Sequence, residues 1–175
     1  MDENARIRQE VWREVERLSD EEINRKPSPD RWSIAQILEH LYLTELTVAR
    51  QMKKAAERAD KPIPGEKPIR LLLDRSLRVK VPIPALDPSD GFKPLDSLKE
   101  QLRRSHRVFA GVLRDLTPDQ LRRCSMRHPL FGTMSLEQWV EFVRLHEQRH
   151  LEQIRETKER LFGQDREPGG DEAGK

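Results

Sequence analysis

The sequence predicts an all-α protein, a single four-helix bundle that spans residues 1–162. Apolar residues recur at helical spacing in four segments, residues 3–18, 34–59, 95–116 and 136–162. Two of these segments begin with a Ser that is followed three residues later by a Gln, the capping-box pattern. Between the second and third segments lies a proline-rich stretch that no helix can cross. These three observations together indicate a bundle with one long internal connection.

The first two predicted helices are separated by a break at residues 24–30, which holds two prolines. The apolar stripe of the first helix consists of Ile7, Val11, Val15 and Leu18. The second helix begins after Trp32, where Ser33 and Gln36 form a capping box. Its inward stripe mixes apolar and polar side chains, which are Ile34, Ile37, Leu38, Leu41, Thr44, Glu45 and Val48. Each stripe predicts a helix with one face in the core.

The connection between the second and third helices holds seven prolines within residues 61–94. Residues 69–79 are predicted to form a short helix inside it. A connection of this length is uncommon in a compact domain and often lies over a functional site. We interpret it as a crossover that returns the chain to the other end of the bundle, a role that is compatible with covering a site.

The third and fourth helices are predicted from their apolar stripes and from local stop signals. The inward residues of the third helix are Leu95, Leu98, Leu102, Phe109, Leu113 and Leu116. A short helical turn follows at residues 117–120, and residues 124–133 are predicted as a loop. The fourth helix begins with Ser135 and Gln138 as a capping box, and Gly163 is placed to end it. Residues 163–175 are Gly-rich and charged, so we predict a disordered tail.

Composition and charge narrow the function classes. Lys and Arg number 33 against 31 for Asp and Glu, so the net charge of +2 argues against a nucleic-acid partner. No apolar run reaches the roughly 20 residues that span a bilayer, so no membrane association is expected. The N-terminal residues are charged and unlike a secretory signal, and a single cysteine, Cys124, suits a reducing compartment. We therefore expect a cytoplasmic protein, and a homodimer is plausible from base rates.

Three of the five histidines fall on inward helix faces. The inward stripe of the fourth helix reads Trp139, Val143, His146, His150, Ile154 and Leu161. A spacing of four places the rings of His146 and His150 on the same side of that helix. His40 lies near the buried stripe of the second helix and would complete a three-nitrogen site with an open position, as in catalytic zinc sites. Imidazole also suits nickel and iron, and the alternative is a set of hydrogen-bonded core histidines.

Residues 146–150 also match the His-Glu-x-x-His pattern of zinc peptidases, in which the Glu is a general base. A peptidase is disfavoured for two reasons. The sequence upstream indicates no sheet that could bind a substrate strand, and the only candidates for a third metal ligand downstream are acidic residues of the same helix and of the tail. Glu147 is a weak candidate base, and a solvated helix residue is the favoured alternative. His106 is predicted as a boundary residue and His128 as structural or exposed. Nothing in the sequence around Cys124 indicates an activated nucleophile.

Two motifs together resemble the DinB/YfiT-like superfamily of proposed metalloenzymes. The first is the pattern Trp32-Ser33-x-x-x-Ile37-Leu38-x-His40-Leu41. The second runs from His128-Pro129-Leu130-Phe131-Gly132 through Leu136 and Trp139 to His146-x-x-x-His150-Leu151-x-Gln153-Ile154. The order of elements is similar over about residues 5–162, the proline-rich crossover included. The resemblance implies a four-helix bundle with unusual connectivity and a nickel or zinc ion held by His40, His146 and His150.

The resemblance implies several possible activities. Members include thiol S-transferases that use bacillithiol or a similar low-molecular-weight thiol, and a mycothiol-dependent maleylpyruvate isomerase. The leading hypothesis is a metal-dependent transferase or hydrolase acting on a small electrophile, with the ion under the crossover and the loop at residues 128–133. The alternatives are a non-enzymatic stress-response bundle that binds metal or ligand, and a metal-free helical scaffold.

Overall fold

Four long helices form the bundle, as the sequence predicts, and the computed structural model describes residues 3–58, 64–76 and 83–163. The elements in chain order are α1 (Glu3–Val15), α2 (Asp20–Asn24), α3 (Ile34–Ala56), α4 (Leu95–Asp115), α5 (Pro118–Arg123), β1 (Ser125–His128), β2 (Gly132–Ser135) and α6 (Leu136–Phe162). The predicted tail beyond residue 163 lies outside the described residues. No helix within the described ranges is long and apolar enough to cross a membrane.

The helix boundaries differ from the prediction by a few residues. Helix α1 ends at Val15, and Leu18 packs in the turn that follows. The Ser19 hydroxyl then begins the short helix α2 with a capping box, which the sequence analysis did not predict. The capping boxes predicted at the starts of α3 and α6 are present.

The segment predicted as a loop after α5 is a β-hairpin, which corrects the prediction. Strands β1 and β2 pair antiparallel from Ser125 opposite Ser135 to His128 opposite Gly132. Gly132 has a φ of +74°, a left-handed conformation that a residue with a Cβ adopts only at a cost. This turn brings the loop of residues 129–131 against the bundle. The strands are only four residues long, at the lower limit for the alternation that identifies strands in a sequence.

The described part of the crossover contains two 3₁₀ turns, Ile69–Leu73 and Pro84–Leu86. The first replaces the predicted short helix at residues 69–79, the last three residues of which lie outside the described part. Ile69 and Leu86 are buried, and the Gln36 amide donates to the backbone carbonyl of Ser89 at 3.3 Å. The described parts of the crossover therefore dock on the bundle.

A polar layer divides the buried core into two apolar clusters. One cluster joins α1 to the first halves of α3 and α4 and to the second half of α6. The other joins the second halves of α3 and α4 to the hairpin and the start of α6. Between the clusters lie buried polar residues, which are Arg8, His40, Thr44, Glu45, Ser105, His146, Glu147 and His150. Polar side chains buried in a core need partners, so this layer is where a function is expected.

Candidate metal centre

The structure brings His40, His146 and His150 together, from α3 and α6, at the centre of the polar layer. The Nε2 atoms of His40 and His146 are 3.1 Å apart, and those of His146 and His150 are 3.2 Å apart. One ligand atom from each ring lies within 4.8 Å of the other two. The three residues are between 5% and 9% exposed. The three rings therefore converge, and His146 and His150 share one face of α6 as their spacing of four predicts.

Hydrogen bonds on the far sides of two rings fix their protonation. Nδ1 of His40 donates to the backbone carbonyl of Leu86 at 2.7 Å, and Nδ1 of His150 donates to the side-chain oxygen of Gln153 at 2.7 Å. A neutral imidazole with a proton on Nδ1 has a lone pair on Nε2. Two lone pairs therefore point at Nε2 of His146, which can donate one proton to only one of them.

These lone pairs fit a shared cation better than a hydrogen-bonded core. Zn²⁺ binds imidazole nitrogen at about 2.0–2.1 Å, so two nitrogens at a tetrahedral angle would lie about 3.3 Å apart. Two of the three separations, 3.1 and 3.2 Å, are close to that value. Thr44, one turn after His40 on α3, has a buried hydroxyl oxygen that lacks a hydrogen-bond partner among the described residues. An unpaired buried hydroxyl costs about 1–3 kcal/mol, and a ligand that bonded it would remove that cost.

The environment favours the neutral form of all three rings. Burial lowers the pKa of His40, His146 and His150, called the triad below, from the ordinary value of a histidine. For His146 the neighbouring rings of His150 and His40 lower the pKa further. A metal binds the neutral imidazole, so the environment holds the form that coordinates.

Aromatic side chains confine the triad. The ring of Trp32 lies 5.0 Å from that of His40 and 6.3 Å from that of His150, measured between centroids. Phe142 stacks on His146 at 5.5 Å. These contacts restrict rotation of the three rings.

A cavity of about 1080 Å³ opens onto the triad. Its walls come from α3, α6, the two 3₁₀ turns of the crossover and the hairpin loop, with Leu71, Leu86, Leu130 and Phe131 among the lining residues. A pocket of 300–1000 Å³ is typical for a small-molecule ligand. The crossover and the loop therefore lie over the histidines, as the sequence analysis expected.

Glu147 is buried, which corrects the favoured prediction of a solvated residue. It is 3% exposed, and both of its carboxylate oxygens accept hydrogen bonds from the Arg8 guanidinium. Burial raises the pKa of Glu147, and the charge of Arg8 opposes that shift. Glu147 is absent from the cavity lining. This arrangement gives its carboxylate a partner within the bundle and does not favour the role of base.

Arg8 is a central residue that the sequence analysis missed. Its guanidinium also donates to Glu45 at 3.3 Å and to the backbone carbonyl of Leu102 at 3.2 Å. Glu45 in turn accepts from the hydroxyl of Ser105. The network joins α1, α3, α4 and α6. Arg8 precedes Val11 by three residues and Val15 by seven, so the helical spacing carried a signal that it faces inward.

The remaining histidines lie outside the triad. His106 is half-buried, and its Nδ1 lies 3.4 Å from a Glu45 oxygen, so it borders the polar network. His128 is buried among aromatic rings, and its Nδ1 accepts from the backbone N–H groups of Leu130 and Phe131 at 3.1 and 3.2 Å. Burial lowers the pKa of His128 to about 4. Its role in shaping the hairpin loop agrees with the structural role predicted for it.

The fold and the site together define the class of protein. It is a four-helix-bundle protein with a candidate metal centre, in which three buried histidines converge beside a cavity. The sequence pattern of the DinB superfamily matches residues 3–154. This chain therefore belongs to the DinB superfamily. It is 32% identical over 154 residues to the uncharacterized protein YuaE of Bacillus subtilis (strain 168), covering 88% of this chain and 94% of YuaE.

Two solved structures share the fold. YfiT from Bacillus subtilis, described as a probable metal-dependent hydrolase with an unusual four-helix bundle topology, superposes with a TM-score of 0.62 and 18% identity. The match covers 91% of this chain and 83% of YfiT. TT2238, described as a four-helix bundle protein, gives a TM-score of 0.58 with 16% identity over 88% of this chain and 94% of its own. At these identities the likeness shows the bundle fold that the sequence analysis predicted.

Proposed function

We propose that this protein is a metal-dependent enzyme that acts on a small electrophilic substrate, with a divalent ion held by His40, His146 and His150. The observation that carries the proposal is the convergence of three buried Nε2 atoms, two of them with fixed lone pairs, beside a large cavity. Three protein ligands are the number that catalytic zinc sites use. Zinc and nickel both suit an all-imidazole ligand set.

A bound divalent ion would supply Lewis-acid chemistry, which polarises a substrate oxygen and favours the deprotonated form of water or a thiol. The residues of the chain orient and enclose the site. The Leu86 carbonyl and the Gln153 amide hold two rings in the ligand tautomer. Trp32 and Phe142 pack against the rings and restrict their rotation. The cavity supplies the space for a substrate beside them.

We propose hydrolysis as the first reaction to test, and the description of YfiT as a probable metal-dependent hydrolase supports this choice. Thiol S-transfer is the second candidate. The cavity of about 1080 Å³ lies at the upper end of the usual range for ligand pockets, which suits a thiol such as bacillithiol bound beside a small electrophile. A non-enzymatic metal- or ligand-binding bundle is the alternative from a different class.

Elemental analysis of protein purified without an affinity tag tests the metal centre. We expect one zinc or nickel ion per chain, lost in His40→Gln, His146→Gln and His150→Gln. His106→Gln is the matched control, because His106 lies outside the triad and should retain the ion. Wild-type protein that contains no metal and binds none when zinc and nickel are added would contradict the proposal.

An activity screen of the metal-loaded protein separates the reaction classes. Ester hydrolysis without added thiol supports the hydrolase, whereas consumption of an aryl halide only with thiol present supports the transferase. In either case His146→Ala should abolish turnover, because it removes the central nitrogen of the triad. Metal binding without turnover across a broad panel would favour the non-enzymatic role.

A further inference from the structure

Thr44 on α3 has a buried side chain whose hydroxyl forms no hydrogen bond with the described part of the protein. The residue is 5% exposed, and among the described residues its Oγ1 is the one buried side-chain oxygen or nitrogen without a partner. Buried polar atoms are nearly always paired, because an unpaired group keeps the full cost of losing its contact with water. The exception at Thr44 therefore needs a physical explanation.

The helix itself offers a partner that Thr44 does not use. A threonine inside a helix commonly donates to the backbone carbonyl three or four residues earlier. Thr157 on α6 does so, since its hydroxyl donates to the carbonyl of Gln153 at 2.8 Å. Both threonines are 5% exposed, and both line the cavity. The difference between them is that the hydroxyl of Thr44 is left for a partner from outside the described fold.

Thr44 lies beside the candidate metal centre. It follows His40 by four residues on α3, so the two side chains share one face of that helix. Side chains of a helix tilt toward its N-terminus, which directs that of Thr44 toward the turn that carries His40. Nε2 of His40 in turn lies 3.1 Å from Nε2 of His146. A ligand that enters the cavity and approaches these nitrogens therefore also approaches the hydroxyl.

The surroundings of Thr44 within α3 offer it no other use. Glu45, the next residue, accepts hydrogen bonds from Arg8 and from Ser105 in the buried network. Val48, which is four residues further along the same face, is apolar and also lines the cavity. The hydroxyl of Thr44 is thus a polar point on the cavity wall between the histidines and an apolar stretch of α3.

We propose that Thr44 is a substrate-binding residue, whose hydroxyl donates a hydrogen bond to an oxygen atom that the substrate places at the open position of the candidate metal centre. Three protein ligands leave such a position in catalytic zinc sites. A hydroxyl can rotate to donate to the oxygen of a carbonyl or phosphoryl group. The inference rests on the proposed function, and it names the substrate class as compounds with such an oxygen at the reacting centre.

Binding of acetohydroxamate to the zinc-loaded protein tests this assignment. The probe is a small molecule that binds zinc through its oxygen atoms, and calorimetry measures its dissociation constant. Thr44→Val keeps the branched shape and removes the hydroxyl, so we expect affinity for the probe to fall by about tenfold while zinc affinity stays within about twofold. Thr44→Ser keeps the hydroxyl and should bind the probe within about threefold of wild type. Thr157→Val is the matched control, because its hydroxyl is paired within α6, and it should leave probe affinity unchanged.

Urea denaturation of the metal-free proteins provides a second measurement that depends on neither metal nor turnover. Thr44→Val should raise the midpoint of unfolding, because it removes a buried hydroxyl that has no partner. Thr157→Val should lower the midpoint, because it removes a hydrogen bond. A lower midpoint for Thr44→Val would overturn the assignment, since it would show that the hydroxyl is already paired in the fold.

Three results with the zinc-loaded protein would also overturn it. The first is wild-type protein that does not bind acetohydroxamate. The second is unchanged probe affinity in Thr44→Val. The third is an equal loss in Thr44→Ser and Thr44→Val, which would indicate altered cavity shape and not a lost hydroxyl. Zinc content is measured in every sample, so a protein that binds no zinc refutes the proposed function itself and is distinguished from a failure at Thr44 alone.

Discussion

Arg8 of α1 and Glu147 of α6 form a buried ion pair directly beside His146 in the chain. The guanidinium reaches both carboxylate oxygens of Glu147, and one of its nitrogens also donates to Glu45. Burial of either charge alone would be costly. The pair therefore fixes the helix that carries two of the three triad histidines against the helix that begins the chain.

Removing Arg8 should destabilise the bundle strongly. Arg8→Met leaves two buried carboxylates without their cation, and we expect a loss of about 3–5 kcal/mol in the free energy of unfolding. Urea denaturation measures this loss in the free energy of unfolding. Arg6→Met is the matched control, because Arg6 is exposed and pairs with Glu10 at 3.5 Å, which predicts a change below about 1 kcal/mol. Equal losses in the two variants would contradict the role assigned to Arg8.

Gln153 should tune metal affinity without binding the metal. Gln153→Leu removes the acceptor that holds the proton of His150 on Nδ1, so the lone pair on Nε2 is no longer fixed. We expect the dissociation constant for zinc to rise by about 10–100-fold in a competition titration with a chelating dye. Gln153→Glu keeps an acceptor and should bind at least as tightly as wild type. Gln51→Leu, at another glutamine lining the cavity, is the control, and an effect as large as that of Gln153→Leu would refute this explanation.

His106 should make stability depend on pH. Its pKa is raised, first by the hydrogen bond to Glu45, so the folded state binds a proton more tightly than the unfolded chain does. The stabilisation is fully present below the unfolded pKa of about 6.5 and is lost as the pH rises through the raised folded value. His106→Gln should therefore cost more at pH 6 than at pH 8.5, by roughly 0.5 kcal/mol because the ring is partly exposed. Thermal melts of the metal-saturated proteins measure the effect. A stability difference between wild type and His106→Gln that does not change with pH would contradict the role assigned to His106.

Gly132 should tolerate alanine poorly, although there is space for it. A Cβ at this position meets no atom within 4 Å, so the cost comes from the φ of +74° alone. We expect Gly132→Ala to lower the free energy of unfolding by about 1–2 kcal/mol. Gly111→Ala, inside α4, should raise it by up to about 1 kcal/mol because alanine is the better helix former there. The same sign for both changes would refute the argument.

The sequence predicted the four long helices and the inward placement of His40, His146 and His150, because both depend on spacing along a helix. Spacing carried less information about the partners of these residues. The acceptor for His40 is a backbone carbonyl, that of Leu86, and every residue has such a group. The burial of Glu147 depends on Arg8, which lies 139 residues away, and no local pattern reports such a pair.

The contact between Leu86 and His40 makes the proline-rich crossover a part of the candidate metal centre. Pro84 and Pro88 lie two residues on either side of Leu86, and their rings restrict the conformations open to this segment before it docks. Less entropy is then lost when the carbonyl is held against the imidazole. The affinity of the candidate site for a metal ion would accordingly depend in part on a surface segment. Proteolytic cleavage near residue 86 would then release the metal although no metal-ligand residue is cleaved.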